Sequence, residues 1–333
     1  MEYIYLFIID VLMNFGDIEI SDFLSSQPLY ECIKILRSKL EMFKYEVYSV
    51  AKIGKQIKID VNIASVLYYD HINKMKNELK KYNNDVHNIE LRICDKYNDR
   101  IILDISYSEI NILNPLRLLI NLKHLRLCEN NISDVKPLSG LINLTHLIAT
   151  FNHIYDLRPL KGLVNLTHLK LGYNRISNLE PLRELVNLTH LELWNNEIYD
   201  IEPLRELVNL TRLELSGNYI THLDDLCALT KLDTLYVGNN ILSNIEPLRC
   251  LINLQKLGLY INYISDIEPL NNLINLRELD VHKNYISDIR PLSNLTNLLK
   301  LSICYNAICY GATSDLEPLN NLINLRELDL QQS

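Results

Sequence analysis

The sequence predicts an α/β repeat solenoid, because three features of it recur with one period. Leucines return every 22 residues, the ninth position of each repeat is asparagine, and the sixteenth is usually proline. One short coil cannot bury its own leucines, so successive coils must stack and shield them together. We therefore expect a right-handed array with a parallel β-sheet on its concave side and extended or 3₁₀ segments on its convex side, preceded by a small, mainly helical N-terminal region.

The repeat covers most of the chain. Full units of 22 residues begin at Leu122, Leu144, Leu166, Leu188, Leu210, Leu232, Leu254 and Leu276. A ninth unit begins at Leu298 and is five residues longer, and a truncated tenth begins at Leu325. Residues 100–121 fit the same frame, with Ser108 in the place of the asparagine. We expect about ten to eleven coils over residues 86–333.

Each unit begins with a short strand. In the fourth full unit, Leu191 and Leu193 alternate with His190, Glu192 and Trp194. Side chains in a strand point alternately to its two faces, so the leucines should face the core and the other three should face solvent.

The remainder of each unit should return along the convex side. Proline at the sixteenth position, as at Pro203, disfavours a helix beyond its first turn. The return leg is therefore expected to be extended or 3₁₀, with Leu204 and Leu207 closing the core. The asparagines from Asn130 to Asn306 should be buried, each bonding backbone groups of adjacent coils.

Residues 1–85 do not repeat. Their pattern predicts helices near 2–14, 28–43 and 65–82 and a short strand pair around 47–63. Ile89, Leu91 and Ile93 then alternate as in a strand that starts the solenoid early. Two interpretations of this region stay open: a cap over the first coil, or a degenerate F-box-like adaptor module from Tyr5 to Leu36 that recruits a ubiquitin ligase.

Charge and hydropathy exclude several classes of protein. The net charge of −8 argues against a general nucleic-acid binder, which needs a basic surface. No segment approaches the length of a membrane span, and the apolar start, bracketed by Glu2 and Asp10, lacks the basic region of a signal peptide. We expect neither nucleic acid nor membrane as a partner.

The seven cysteines form no C-x-x-C pair, so neither a zinc site nor a disulfide framework is predicted. Cys304 and Cys309 flank an insertion, Cys309 to Thr313, that should bulge on the side away from the sheet; they could pair, but reduced thiols are expected. Reduced cysteines predict a cytoplasmic location, in a host cytoplasm if the chain is a viral or bacterial effector.

The outward columns of the strands carry the candidate binding residues, because aromatic side chains beside charges are typical of interfaces. The predicted partner-binding residues of the concave face are Phe151, His168, Tyr173, His190, Glu192, Trp194, Arg212, Glu214, Tyr236 and Tyr260. The tenth position adds an apolar rim that is either a second contact edge or simple packing: Tyr219, Ile241, Tyr263 and Tyr285.

A column of stacked histidines at the third position runs from His124 to His190. Such a column could bind a metal or sense pH, but repeat duplication also explains it, and no carboxylate or cysteine completes a site. We predict no metal and no cofactor.

The sequence contains no catalytic motif, neither a P-loop nor G-x-S-x-G nor H-E-x-x-H. Glu192 and Glu214 lie on adjacent strands, but an open sheet is expected to leave both too hydrated for acid catalysis. We predict that the chain is not an enzyme.

The run from Asn284 to Leu298, Asn-Tyr-Ile-Ser-Asp-Ile-Arg-Pro-Leu-Ser-Asn-Leu-Thr-Asn-Leu, resembles the 22-residue leucine-rich repeat of bacterial internalins and of the regulatory subunit of type-1 protein phosphatase. The resemblance covers residues 100–333. It implies a leucine-rich-repeat fold and a non-catalytic scaffold that binds a folded protein on its concave face; adaptor and phosphatase-regulator roles remain alternatives. With no secretion signal or cell-wall anchor recognisable, we expect no internalin-type adhesin role.

Two further expectations concern source and assembly. Abundant Ile, Asn, Tyr and Lys suggest an A/T-rich genome, such as that of a large DNA virus or an intracellular bacterium. In the truncated last unit, the stretch from Leu328 to Ser333 supplies a strand without a return leg, which predicts that a partner or a second copy of the chain covers it.

Overall fold

The computed structural model describes residues 47–53, 56–61, 90–94, 100–120, 122–309 and 316–330. The chain divides into two units, Met1–Lys74 and Met75–Ser333. In the first, the predicted strand pair is confirmed: β1 (Val47–Ile53) and β2 (Gln56–Val61) form an antiparallel hairpin. The three predicted helices and the F-box-like stretch lie outside the described residues.

The second unit contains a twelve-stranded sheet whose strands follow chain order from β3 to β14. Its strands are β3 (Glu90–Cys94), β4 (Arg100–Asp104), β5 (His124–Arg126), β6 (His146–Ile148), β7 (His168–Lys170), β8 (His190–Glu192), β9 (Arg212–Glu214), β10 (Thr234–Tyr236), β11 (Lys256–Gly258), β12 (Glu278–Asp280), β13 (Lys300–Ser302) and β14 (Glu327–Asp329).

The strands from β4 to β14 are parallel and paired in the register that the repeat predicts. Leu191 in β8 lies beside Leu169 in β7 and Leu213 in β9, each one repeat away. Leu191 and Leu193 are fully buried, as the alternation predicted. The solenoid fold is confirmed.

The convex side is built from 3₁₀ turns, which confirms the expected return leg. Among the described residues these turns span Asn114–Leu118, Lys136–Leu138, Arg158–Leu160, Glu180–Leu182, Glu202–Glu206, Asp224–Ala228, Glu246–Cys250, Glu268–Leu270, Arg290–Asn294, Ala307–Cys309 and Glu317–Asn321. Proline is accepted in the first turn because its missing N–H has no partner there. Leu204 and Leu207 are fully buried beneath the turn that contains Pro203.

The asparagine ladder also has the predicted role. The Asn130 amide donates to the carbonyls of Ile105 at 2.9 Å and Leu127 at 3.0 Å. Its oxygen accepts the N–H groups of Ser108 at 3.1 Å and Ile110 at 2.9 Å. These bonds satisfy backbone groups in two coils where the strand turns away from the sheet.

One expectation about a strand is confirmed in part, and one about thiols is wrong. The alternation around Leu91 predicted a strand ahead of the repeats, and β3 is that strand at the edge of the same sheet. It pairs antiparallel with β4, however, so it is not a repeat coil. Cys227 and Cys250 form a disulfide, with their Cα atoms 5.3 Å apart. They lie in consecutive convex turns, Asp224–Ala228 and Glu246–Cys250, where stacking brings together positions 23 residues apart.

The late coils are described in part. Cys304 is a free, buried thiol, whereas the insertion beyond Cys309 lies outside the described residues. The strand β14 is exposed, with Leu328 44% and the nearby Ile323 81% accessible. Self-association through this coil stays a prediction.

Candidate functional site

The concave face consists of the side chains at positions three, five and seven of each unit, which alternate with the buried leucines. The structure places eight of the predicted residues there: His168, His190, Glu192, Trp194, Arg212, Glu214, Tyr236 and Tyr260. Phe151 and Tyr173 are at the eighth position, where the chain leaves the strand. All ten predicted residues therefore lie on the same side of the sheet or at its border.

Three of these aromatic residues form a cluster across consecutive coils. The ring centroids of Phe151 and Tyr173 are 4.8 Å apart, and Phe151 meets Trp194 edge-on at 5.3 Å. A Cβ atom at Gly172 would overlap the Trp194 indole, so the indole lies flat against the backbone of the preceding coil. Large rings held in fixed positions offer contact area at low entropic cost.

The backbone holds the border of this cluster in an unusual conformation. Phe151 and Tyr173 both have φ of 55°, in the left-handed region that bulky residues seldom adopt. Their N–H groups donate to the next coil, to the Gly172 carbonyl at 2.9 Å and the Trp194 carbonyl at 2.7 Å. Stacking of the coils thus fixes the direction in which the two rings leave the chain.

A second aromatic group lies further along the face. The Tyr260 ring covers Gly238, where a Cβ atom would overlap it, and stacks on His282 with centroids 5.2 Å apart. A Cβ atom at Gly258 would come within 2.5 Å of the Tyr236 ring. The Arg212 guanidinium carbon lies 5.6 Å from the centroid of Tyr236, in cation–π range.

Between the two aromatic groups is a pocket of about 290 Å³. It is lined by Glu192, Trp194, Asn195, Arg212, Glu214, Ser216 and Tyr260. It opens because position seven alternates in size: Trp194 leans back over Gly172, the next position holds the small Ser216, and Tyr260 leans back over Gly238. The pocket therefore joins five predicted residues with two that the sequence did not single out.

The two carboxylates of the pocket have different partners. Glu192 accepts bonds from Lys170 Nζ at 2.9 Å and from Arg212 Nε at 3.3 Å. Glu214 accepts the Ser216 N–H at 3.1 Å, and no described Lys, Arg or His nitrogen forms a salt bridge with it. Burial raises the pKa of Glu214. The expectation that the open sheet would leave both acids hydrated is thus wrong for Glu214, which neighbouring coils shield.

The histidine column is stacked as predicted. Ring centroids from His124 to His190 are 3.9, 4.1 and 4.2 Å apart. The Thr189 hydroxyl lies between the Thr167 carbonyl at 3.1 Å and His190 Nδ1 at 3.0 Å, and so ties the imidazole to the backbone of the preceding coil. Burial, helped by Arg212, lowers the pKa of His190 and keeps its ring neutral at neutral pH.

The predicted rim is exposed. Tyr219, Ile241, Tyr263 and Tyr285 are between 45% and 60% accessible. Only part of the rim packs against itself, with Tyr263 and Tyr285 stacked at 6.1 Å. Whether the rim contacts a partner stays a prediction.

In the described part of the chain, no three His, Cys, Asp or Glu side chains are placed to hold a metal ion. None of the helices described there has the length and apolar character needed to span a membrane.

Comparison with known proteins identifies the family. The family model for leucine-rich repeats in two copies matches residues 142–184, 186–228, 209–250 and 252–294. An internalin (InlF) from Listeria monocytogenes is 28% identical, with a TM-score of 0.62 over 79% of this chain and 81% of that one. Internalin C2 from the same species is 38% identical, with a TM-score of 0.51 over 52% of this chain and 76% of that one. The chain belongs to the leucine-rich-repeat family. Its repeats are internalin-like, and leucine-rich-repeat proteins are in general interaction scaffolds.

A third solved structure bears on the class of ligand. The complex of TLR13 with ssRNA13 is 26% identical, with a TM-score of 0.54 over 65% of this chain and 34% of that one. A leucine-rich-repeat neighbour is therefore crystallised with RNA, and the expected exclusion of nucleic acid stays a prediction for this chain. No curated protein sequence matches the chain significantly.

Asn195 and Ser216 were not predicted, because within the outward columns the aromatic and charged side chains were selected and the contrast in size between neighbouring coils was not considered. The seventh-position column reads Cys128, Thr150, Gly172, Trp194, Ser216, Gly238, Tyr260, His282 and Cys304. Small residues beside large ones in that column were the available signal, because stacked coils bring them into contact.

Proposed function

We propose that this leucine-rich-repeat protein is a non-catalytic scaffold that binds a folded protein partner on its concave face. The observation that carries the proposal is the aromatic cluster of Phe151, Tyr173 and Trp194 beside a charged pocket. Interfaces depend on a few large aromatic and arginine side chains with polar groups around them. Rings fixed before binding lose little entropy when a partner covers them.

Neither alternative role has a specific observation in its favour. The F-box-like stretch from Tyr5 to Leu36 lies outside the described residues, and nothing in the described part of the chain points to a phosphatase. Both stay predictions, as does the cytoplasmic location.

The test begins with affinity capture of a partner by the full chain, followed by binding measurements with that purified partner. Replacing both Trp194 and Tyr173 with alanine should weaken binding by about 2 kcal/mol or more, since two central aromatic contacts are removed. Circular dichroism should remain that of the wild type, because neither side chain belongs to the leucine core.

The matched control replaces Tyr155 and Tyr199 with alanine. These tyrosines are 63% and 64% exposed and lie outside the strands. Their loss should leave the affinity unchanged. Equal affinities for the wild type and the Trp194/Tyr173 variant would overturn the proposed site.

A further inference from the structure

One carboxylate of the concave pocket has no salt-bridge partner among the described residues. The lining contains two carboxylates, Glu192 and Glu214, and one guanidinium, Arg212. Glu192 is paired with Lys170 at 2.9 Å as well as with Arg212. Arg212 is engaged by Glu192 at 3.3 Å and by the Tyr236 ring at 5.6 Å. Glu214 is thus the acid in the pocket whose charge no described side chain neutralises by a salt bridge.

The floor of the pocket contains a second polar group, the hydroxyl of Ser216, which is buried. It lies within interaction range of the Glu214 carboxylate and the Tyr260 phenol, but it forms no hydrogen bond of good geometry with either. A ligand N–H that reaches this hydroxyl would give it a well-formed hydrogen bond.

The walls of the pocket suit a cation. Trp194 and Tyr260 both line it, and the faces of such rings attract ammonium and guanidinium groups. A volume of about 290 Å³ lies at the lower limit of small-molecule pockets and has room for one long side chain. The carboxylate of Glu214, which has no described salt-bridge partner, would repel a phosphate or a carboxylate.

We propose that this pocket receives one basic side chain, arginine or lysine, of the protein that binds the concave face. The cation pairs with Glu214, donates to the Ser216 hydroxyl and lies between Trp194 and Tyr260. The inference rests on the proposed function and adds the chemistry of the partner's anchoring residue.

The sequence supplies a probe for this pocket, because Trp194 is the single tryptophan of the chain. Its fluorescence reports occupancy of the pocket directly. The full chain is titrated at low salt with the peptide acetyl-Gly-Arg-Gly-amide, its lysine analogue, and an analogue in which neutral citrulline replaces arginine.

The basic peptides should change the Trp194 emission saturably, and citrulline should bind at least about tenfold more weakly, since it keeps the shape but loses the charge. The variant Glu214→Gln should lose at least about tenfold in affinity for the arginine peptide. The matched control is Glu278→Gln on the same face, whose carboxylate is paired with Lys256 at 2.9 Å; it should bind like the wild type.

Equal binding of the arginine and citrulline peptides, or an unchanged affinity of Glu214→Gln, would overturn the inference. Measurements with the captured protein partner separate this failure from failure of the proposed function. If Trp194→Ala with Tyr173→Ala abolishes partner binding while Glu214→Gln leaves it intact, the concave face is the interface but the basic anchor is wrong.

Discussion

A buried asparagine joins each coil to the one before it. The Asn196 amide donates to the carbonyls of Leu171 and Leu193, both at 3.0 Å, and its oxygen accepts the Ile176 N–H at 3.0 Å. These backbone groups are buried, so water cannot replace the side chain. The residue therefore stabilises the turn at the end of each strand rather than any site on the surface.

The variant Asn196→Ala should lower the free energy of unfolding by about 3 kcal/mol, because several buried backbone groups lose their partners together. Urea denaturation followed by circular dichroism measures the loss. Asn187→Ala is the control: this exposed asparagine makes one bond, to the Val164 carbonyl at 2.9 Å, and its removal should cost less than about 1 kcal/mol. Similar losses in the two variants would contradict the assigned role.

Glu214 is the residue at which stability and binding oppose each other. Burial raises its pKa above the ordinary value of 4.5, so the folded state holds the proton more tightly than the unfolded state does. The contribution of Glu214 to the free energy of unfolding is fully present below the pKa that it has in the unfolded state. This contribution is lost as the pH rises through the pKa that it has in the folded state. At neutral pH, which lies above the unfolded pKa, the burial of Glu214 therefore lowers the stability of the protein.

The variant Glu214→Gln should melt at a higher temperature than the wild type at pH 7, and the difference should shrink as the pH falls below 4.5. Glu202→Gln is the opposite control. The hydrogen bond from Arg183 lowers the pKa of Glu202, so its contribution is present above the unfolded pKa and the variant should not gain stability at pH 7. Melting curves of the variants and the wild type at pH 7 and below pH 4.5 test this prediction. A lower melting temperature for Glu214→Gln than for the wild type at pH 7 would contradict the raised pKa of Glu214.

At the scale of strands and turns, the sequence predicted the features that are common to the repeat units. Strand register, the 3₁₀ return leg and the buried asparagines follow from positions that recur, as at Leu191, Pro203 and Asn130. The pocket could not be predicted, because it depends on which neighbouring coil each aromatic ring packs against. The ring of Trp194, for example, packs over Gly172 in the preceding coil, and the pattern within a single repeat does not show this contact. The antiparallel pairing of β3 was not predicted, because an alternating pattern indicates a strand but not the direction in which it pairs.

The disulfide was missed for a related reason. Cys227 and Cys250 occupy positions 18 and 19 of consecutive units, so only the stacking of the convex turns brings them together. A covalent link between adjacent coils restricts the unfolded chain and should slow separation of those coils. Cysteines 23 residues apart match no short sequence motif, so the pair is visible only in the folded chain.

Replacing Cys227 and Cys250 with serine should lower the free energy of unfolding by about 3 kcal/mol, the value for a loop of this length. Reduction of the wild type with dithiothreitol should lower its melting temperature to that of the variant. Cys128→Ser, which removes a free thiol, should change stability by less than about 1 kcal/mol. A melting temperature unaffected by reductant would contradict the presence of the bond.

At the scale of the whole solenoid, the leucine core and the asparagine ladder make one continuous support for the concave face. Framework positions repeat, whereas positions three, five, seven and eight vary from coil to coil. Variation on a fixed support is how repeat proteins obtain different partners from one fold. The residues of the concave face can therefore be exchanged with little effect on the fold.

Hydroxyl-radical footprinting of the full chain, alone and in complex with its captured partner, tests the central claim that this face is the interface. We predict that oxidation of Trp194 and Tyr173 falls strongly in the complex, while Tyr155 and Tyr199 are oxidised equally in both states. Protection of Tyr155 and Tyr199 with no change at Trp194 and Tyr173 would contradict it.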